Sequence, residues 1–312
     1  MLCNICPRKC NIDRQVNIGV CKSSDMMRIA RANLHIWEEE CVSGKEGSGT
    51  IFFTGCNLKC IYCQNYEISD GGNLTEISNE TIKHIGITVT SNGLADIMLE
   101  LQQKQANNIN LVTGTHFVPQ IIEAIDIAKS KGLTLPIVYN TSAYENVDTL
   151  HALKGYVDVY LPDFKYYNNE IAKKYSSAPD YREIATEAID EMVRQCPKCS
   201  FDSRGIITNG VIIRHLVLPG HTNDSKKIIK YIHDRYKDDV YISIMSQYTP
   251  VRHIAEYPNL NRKLTKREYH KVVDYAINEC NIENGYIQEG EVASESFIPD
   301  FDLVTEELLN NG

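Results

Sequence analysis

Cys56, Cys60 and Cys63 stand in one short run, Thr54-Gly55-Cys56-Asn57-Leu58-Lys59-Cys60-Ile61-Tyr62-Cys63, directly after the apolar stretch Thr50-Ile51-Phe52-Phe53. Thiolates are the usual ligands of iron–sulfur clusters, and a cube takes four. Three cysteines on one loop hold a single [4Fe-4S] cube by three of its irons. The fourth iron is then left to a distant cysteine, a substrate or a cofactor. Zinc is the competing metal, but structural zinc favours paired CxxC knuckles. The spacing points to a cluster.

Four further thiols crowd the front of the chain, as Cys3-x2-Cys6-x3-Cys10-x10-Cys21. Arg8, Lys9 and Arg14 lie among them and favour thiolates. Four thiols suffice for a zinc tetrahedron or for a second cluster, and free thiols are the remaining alternative. A closed four-cysteine site has no open position, so its expected task is to fold the segment that carries it. Cys196-Pro197-Lys198-Cys199 looks like half a zinc knuckle without its second half, and no metal is assigned to it. Cys41 and Cys280 stand alone and read as small buried apolar residues. The eleven cysteines are odd in number, so complete disulfide pairing is impossible.

Residues with this chemistry need a frame. Residues 1–48 read as a cysteine-rich lead-in that ends in a Gly/Ser-rich joint, Ser43-Gly44-Lys45-Glu46-Gly47-Ser48. The body runs from 49 to 290, and 291–312 is an acidic tail expected to fray. Strand patterns fall at 50–54, 109–113, 135–140, 156–162, 211–217 and 240–246, all rich in Val, Ile, Leu, Tyr and Phe. Helix patterns alternate with them near 93–106, 117–131, 146–153, 180–195, 224–236 and 265–280. Strand–helix alternation repeated in this way implies a parallel sheet with right-handed crossovers. The expected fold is α/β, a partial (β/α)6 TIM-like barrel behind a small cysteine-rich segment, with a doubly wound sheet as the alternative. The 32 Lys+Arg against 41 Asp+Glu give a net charge of −9, ill suited to nucleic-acid phosphates. No run approaches a membrane helix, and the N-terminus carries no secretory signal pattern. The expectation is a cytoplasmic, soluble protein with neither nucleic-acid nor membrane partners.

Cys56-x3-Cys60-x-Tyr62-Cys63 behind the first strand of such a barrel resembles the radical S-adenosylmethionine (SAM) superfamily. The resemblance implies an oxidoreductase in which SAM chelates the open iron of a [4Fe-4S] cluster. An electron from the reduced cluster breaks the sulfonium bond, and the 5′-deoxyadenosyl radical abstracts a hydrogen from the substrate. It also implies a one-electron donor such as a flavodoxin or ferredoxin, and it places Tyr62 near the adenine.

In parallel α/β barrels, functional residues gather at the C-terminal ends of strands. Thr113-Gly114-Thr115-His116 follows the second strand, where radical SAM enzymes often carry Gly-Gly-Glu around the SAM ammonium. His116 stands in place of the Glu; its alternative is to cap the next helix or face solvent. Asn140-Thr141-Ser142 follows the third strand, and its oxygens either hold a ligand or form an ordinary turn. Asp163-Phe164-Lys165 ends the fourth strand and resembles the Asp-x-Lys of glycyl-radical activating enzymes, where the Asp helps hold a monovalent cation and the Lys contacts the SAM carboxylate. The alternative is a solvent-exposed ion pair. Arg214 on the fifth strand offers a fork suited to a carboxylate. With Pro219-Gly220 it resembles the same enzymes, whereas His215 alternates to the opposite face. Gln247 and Tyr248, after the sixth strand, are substrate-side candidates. Tyr160, Tyr166, Tyr167, Tyr175 and Tyr181 read as a loop that faces a protein partner or is simply part-exposed. The whole chain resembles the pyruvate formate-lyase activating enzyme-like proteins. That likeness implies a glycyl-radical enzyme as protein substrate; radical modification of another peptide or small molecule, or a non-catalytic electron-transfer role, are the alternatives.

Overall fold

The computed structural model describes residues 2–70, 73–75 and 82–288. The acidic tail 291–312 lies outside the described residues. Six parallel strands follow the six apolar runs: β2 (Ser48–Phe53), β6 (Ile109–Val112), β7 (Ile137–Thr141), β8 (Val159–Pro162), β10 (Ile207–Leu216) and β11 (Tyr241–Met245). Both faces of these strands are covered, so they read as continuous apolar runs rather than alternating ones. β2, β7 and β8 are buried at every position.

Four strands were not expected from the sequence alone and extend the same sheet. β1 (Arg28–His35), inside the lead-in, pairs antiparallel with β2, and β5 (Ile87–Thr88) pairs with β1. β12 (Gly285–Ile287) adds a seventh parallel strand beside β11, and β9 (Ser200–Phe201) pairs with β10. A separate hairpin joins β3 (Asn73–Thr75) and β4 (Ile82–His84). The main sheet has ten strands, in the order β12-β11-β10-β8-β7-β6-β2-β1-β5 with β9 off that path. It does not close, so the fold is an open, partial TIM-like barrel.

The helices between parallel strands are α3 (Ser91–Gln103), α4 (Val118–Ser130), α5 (Val147–Ala152), α6 (Asn169–Ser176), α7 (Tyr181–Gln195), α8 (Thr222–Tyr236) and α9 (Lys266–Asp274). Local chemistry sets their starts. Thr90 accepts a bond from the Gly93 amide at α3, Pro119 occupies the first turn of α4, and Thr265 with Glu268 forms a capping box at α9. The two short helices α1 (Glu40–Ser43) and α2 (Tyr66–Ser69) flank β2 in sequence. Among the described residues no helix is long and apolar enough to cross a membrane.

Alternation along the strands divides the interior in two. Ile51, Phe53, Ile109, Leu111, Ile137, Tyr139, Val211 and Ile213 join the large core under the helices. Val138, Val159, Leu161 and Ile212 face the other way and pack on Cys41 and Val42 of α1. The lead-in thus enters the inside of the barrel. Asn107 and Asn108 fix it there by donating to the Ser43 and Val42 carbonyls, each at 2.7 Å.

Candidate active site

The chain leaves β2 through Gly55, whose φ of +85° an L side chain rarely adopts. A Cβ there would stand 2.3 Å from Ser23 Oγ and 2.5 Å from the Cys21 carbonyl oxygen, so the position needs glycine. Residues 56–63 then form a loop gripped on several sides. The Ile61 amide donates to Tyr175 O at 2.8 Å, Asn57 Nδ2 to Tyr144 O at 2.6 Å, and Arg252 Nε to Ile61 O at 2.8 Å. Arg8 reaches in from the lead-in to donate to Asn57 O at 2.7 Å and to Ser177 O at 2.6 Å.

The loop carries Cys56, Cys60 and Cys63 into an open cleft at the C-terminal ends of the strands, enclosing about 1350 Å³ when the space open to solvent is counted. Burial, together with the neighbouring Cys60 and Cys63 sulfurs, pushes the Cys56 thiol up to about 12. Burial and Cys60 raise Cys63 likewise. Three sulfurs charged together on one buried loop call for a cationic partner there, and a bound metal supplies one. Donors are already aimed at them: the Leu58 amide lies 3.4 Å from Cys56 Sγ and Ser176 Oγ 2.9 Å from Cys60 Sγ. The donor set, three thiolates on one wall of a cleft, therefore fits a cluster held by three of its irons.

Seven of the other candidates line the same cleft: Tyr62, Asn140, Ser142, Asp163, Lys165, Arg214 and Gln247. Asp163 lies between two cations, with Lys165 Nζ at 2.7 Å and Arg214 Nε at 2.9 Å. Burial opposes its charge, but Arg214 and then Lys165 more than offset that and hold the carboxyl below its ordinary range. Lys165 is raised because Asp163 and Cys60 outweigh its own burial. The Asp-x-Lys pair is thus a part-buried pair inside the cleft, with both side chains 19% exposed, and not the solvent-exposed one that was its alternative.

Arg214 is the hub of this floor. Besides Asp163 it donates to Glu38 Oε2 at 2.9 Å and to Asn140 Oδ1 at 2.6 Å. Glu38 comes from the lead-in and also accepts from Asn110 and Asn140. Its neighbour Glu39 is raised by burial, with Glu38 adding to the effect. Sequence reasoning missed Glu38, which reads as one residue of an exposed acidic run, Glu38-Glu39-Glu40. Only the entry of the lead-in into the barrel turns it inward. Thr113 and Ala143, at the ends of β6 and β7, both carry φ near +60°. Side chains rarely adopt this region outside sites where the surroundings enforce it.

Of the remaining residues singled out in the sequence, His116, His215 and Tyr248 lie outside the cleft lining. His116 does not line the cleft. It is buried behind β2, with Nε2 at 2.8 Å from the Thr54 carbonyl, and burial pushes it down to about 3. His215 faces away from Arg214, between Phe164 O and Ser225 Oγ, each at 2.8 Å. Gln247 lines the cleft, and its carbonyl accepts from Gln64. Tyr248 is buried and donates to Leu260 O at 2.7 Å.

The tyrosines after the fourth strand are not the exposed loop that the sequence implied. Tyr160, Tyr166, Tyr175 and Tyr181 are buried, because the hydroxyls find partners inside. Tyr166 bonds both Tyr62 and Ser176 at 2.6 Å, and Tyr181 accepts from the Lys165 amide at 2.9 Å. They tie the cysteine loop to the end of β8. Tyr62, 7% exposed, packs its ring against Tyr166, Tyr175 and Tyr248.

Fold and cleft together define a class, an open parallel barrel with three loop cysteines at its mouth, and comparison with known proteins agrees. A family model of the Radical SAM superfamily matches residues 50–232, and the chain belongs to that superfamily. Membership implies a [4Fe-4S] cluster and SAM, and Cys56, Cys60 and Cys63 are three thiols that line the cleft. The chain is 31% identical over 275 residues to the uncharacterized protein MJ0674 of Methanocaldococcus jannaschii, covering 88% of this chain and 74% of that one. Among solved structures, Streptococcus suis SuiB bound to the precursor peptide SuiA aligns at 12% identity and a TM-score of 0.44. The alignment covers 76% of this chain and 47% of SuiB, so this chain spans about half the length of that structure.

Proposed function

We propose that the chain cleaves SAM reductively and acts as an activase, generating a glycyl radical on a partner enzyme. The observation that supports the reading best is the meeting of Cys56, Cys60 and Cys63 with the Asp163-x-Lys165 pair in one cleft. When bound, the cluster and SAM supply a 5′-deoxyadenosyl radical able to take a hydrogen atom from carbon. The protein's share is to position and to charge. Lys165 brings a cation to the cluster side of the cleft, where its field offsets a small part of the rise that burial imposes on Cys56 and Cys63. Asp163 holds Lys165 in that direction, and Arg214 holds Asp163. The buried tyrosines fix the distance between the cysteine loop and this pair. The electron donor is a flavodoxin- or ferredoxin-class protein in this reading.

The test is anaerobic incubation of the reduced, cluster-loaded protein with SAM, with and without candidate glycyl-radical enzymes. The expected result is 5′-deoxyadenosine, together with a doublet radical signal on the partner. No 5′-deoxyadenosine from the reduced protein with any substrate would overturn the reading. Product without a partner radical would overturn the activase role alone. Lys165→Met should weaken SAM binding while the iron content stays unchanged.

A further inference from the structure

We propose that Cys3, Cys6, Cys10 and Cys21 hold a second iron–sulfur cluster, ligated by protein thiolates alone. The fold brings the four together although they span two turns. Cys3 N donates to Ile12 O at 2.8 Å and Asn11 N to Cys3 O at 3.0 Å, which closes a small hairpin around Cys6 and Cys10. Lys22 N donates to Gly19 O at 2.9 Å, which forms the turn that presents Cys21. The sulfurs of Cys21 and Cys10 lie 3.3 and 3.7 Å from where a Gly19 Cβ would stand, so both approach the same bare backbone.

One of these sulfurs also faces an amide donor: Val20 N lies 3.4 Å from Cys10 Sγ. Leu58 N lies at the same 3.4 Å from Cys56 Sγ in the cleft. Amides donating to sulfur stabilise a thiolate and set the potential of the cluster it binds. Lys9, Asn11 and Lys22, each next to a cysteine, take φ of +42° to +60°, so the turns hold backbone strain where the thiols are presented.

The arrangement favours a cluster over zinc. Zinc at about 2.3 Å from four tetrahedral sulfurs draws them to about 3.8 Å from one another. Among the described residues no three Cys, His, Asp or Glu side chains gather closely enough to share one ion. Cys56, Cys60 and Cys63 are spread in the same way. A cube tolerates that spread because each thiolate binds a different iron. The site is a neighbour of the first: the Cys21 carbonyl packs on Gly55, and Gly55 precedes Cys56.

The experiment is metal and sulfide analysis of the full chain, isolated anaerobically from iron-supplemented cells. Wild type should carry about eight irons, and the Cys56→Ala/Cys60→Ala/Cys63→Ala variant about four, with a Mössbauer spectrum unchanged by SAM. One zinc per chain in that variant, no metal in a folded variant, or about four irons in wild type would each overturn the proposal. If the triple variant does not fold, Cys10→Ala/Cys21→Ala decides. It should halve the iron and keep the SAM-responsive signal of the cleft cluster, and unchanged iron overturns the proposal. Because that signal is read separately, failure of the proposed activity and failure of this site are distinguishable.

Discussion

Replacing Arg214 by methionine should destabilise the protein by about 3–5 kcal/mol, the usual cost of removing one partner from a buried ion pair. The figure follows from what is stranded. Arg214 donates to Asp163 and Glu38 at 2.9 Å each and to Asn140 at 2.6 Å, with its side chain 11% exposed. After the change Asp163 keeps Lys165 at 2.7 Å. Glu38 keeps only the amides of Asn110 and Asn140, at 3.2 and 3.4 Å, beside the carboxyl of Glu39. Most of the cost therefore sits on Glu38. Glu38→Gln in the same background should recover about half of it, because the orphaned charge disappears while the amide contacts remain. The assay is anaerobic urea unfolding followed by far-ultraviolet circular dichroism for wild type, both single variants and the double variant. A loss below about 1 kcal/mol for Arg214→Met, a value typical of exposed pairs, would refute the claim that the cleft floor is an ionic hub. So would strict additivity in the double variant.

The stability that His215 contributes should fall by about 3 kcal/mol as pH drops from 6.5 to 4, because burial pushes the imidazole down to about 4. The unfolded chain takes up the proton from 6.5 downward and the folded chain does not, so the loss lies on the acid side. Denaturant titrations of His215→Gln should show a correspondingly shallower slope. Ser176→Ala removes the 2.9 Å hydroxyl contact on Cys60 and should shift the midpoint potential of the cleft cluster negatively in an EPR-monitored redox titration. An unchanged potential would mean that the hydroxyl does not serve the sulfur. Gly55→Ala forces a side chain into the left-handed region and against Ser23 and Cys21, and should cost at least about 1–3 kcal/mol, read as a lower melting temperature.

The six parallel strands were legible because burial on both faces leaves apolar runs that survive without neighbours. β1 was not, since Arg-Ile-Ala-Arg-Ala-Asn-Leu-His is half polar and only partly buried. β12 has three residues, too few to make a pattern. At the site, Cys56, Cys60, Cys63, Asp163, Lys165 and Arg214 could be found because each sits in a motif or at a strand end. Glu38 could not: its partner is 176 residues away, and an acidic run carries no mark of which carboxylate turns inward. The buried tyrosines were misplaced for a related reason. A hydroxyl reads as surface until its partner is known, and Tyr166 finds partners at Tyr62 and Ser176 that only the tertiary fold supplies.

The entry of the lead-in into the barrel also orders events during synthesis. Glu38 leaves the ribosome 176 residues before Arg214, and Arg8 leaves 169 before Ser177. Cys63, the last of the seven cysteines in the two groups, precedes Arg214 by 151 residues, so at roughly 5–20 residues per second all seven exist for about 8–30 s before their enclosure is made. Thiols made early are thus enclosed late, so any metal loading competes with oxidation during translation and not only afterwards.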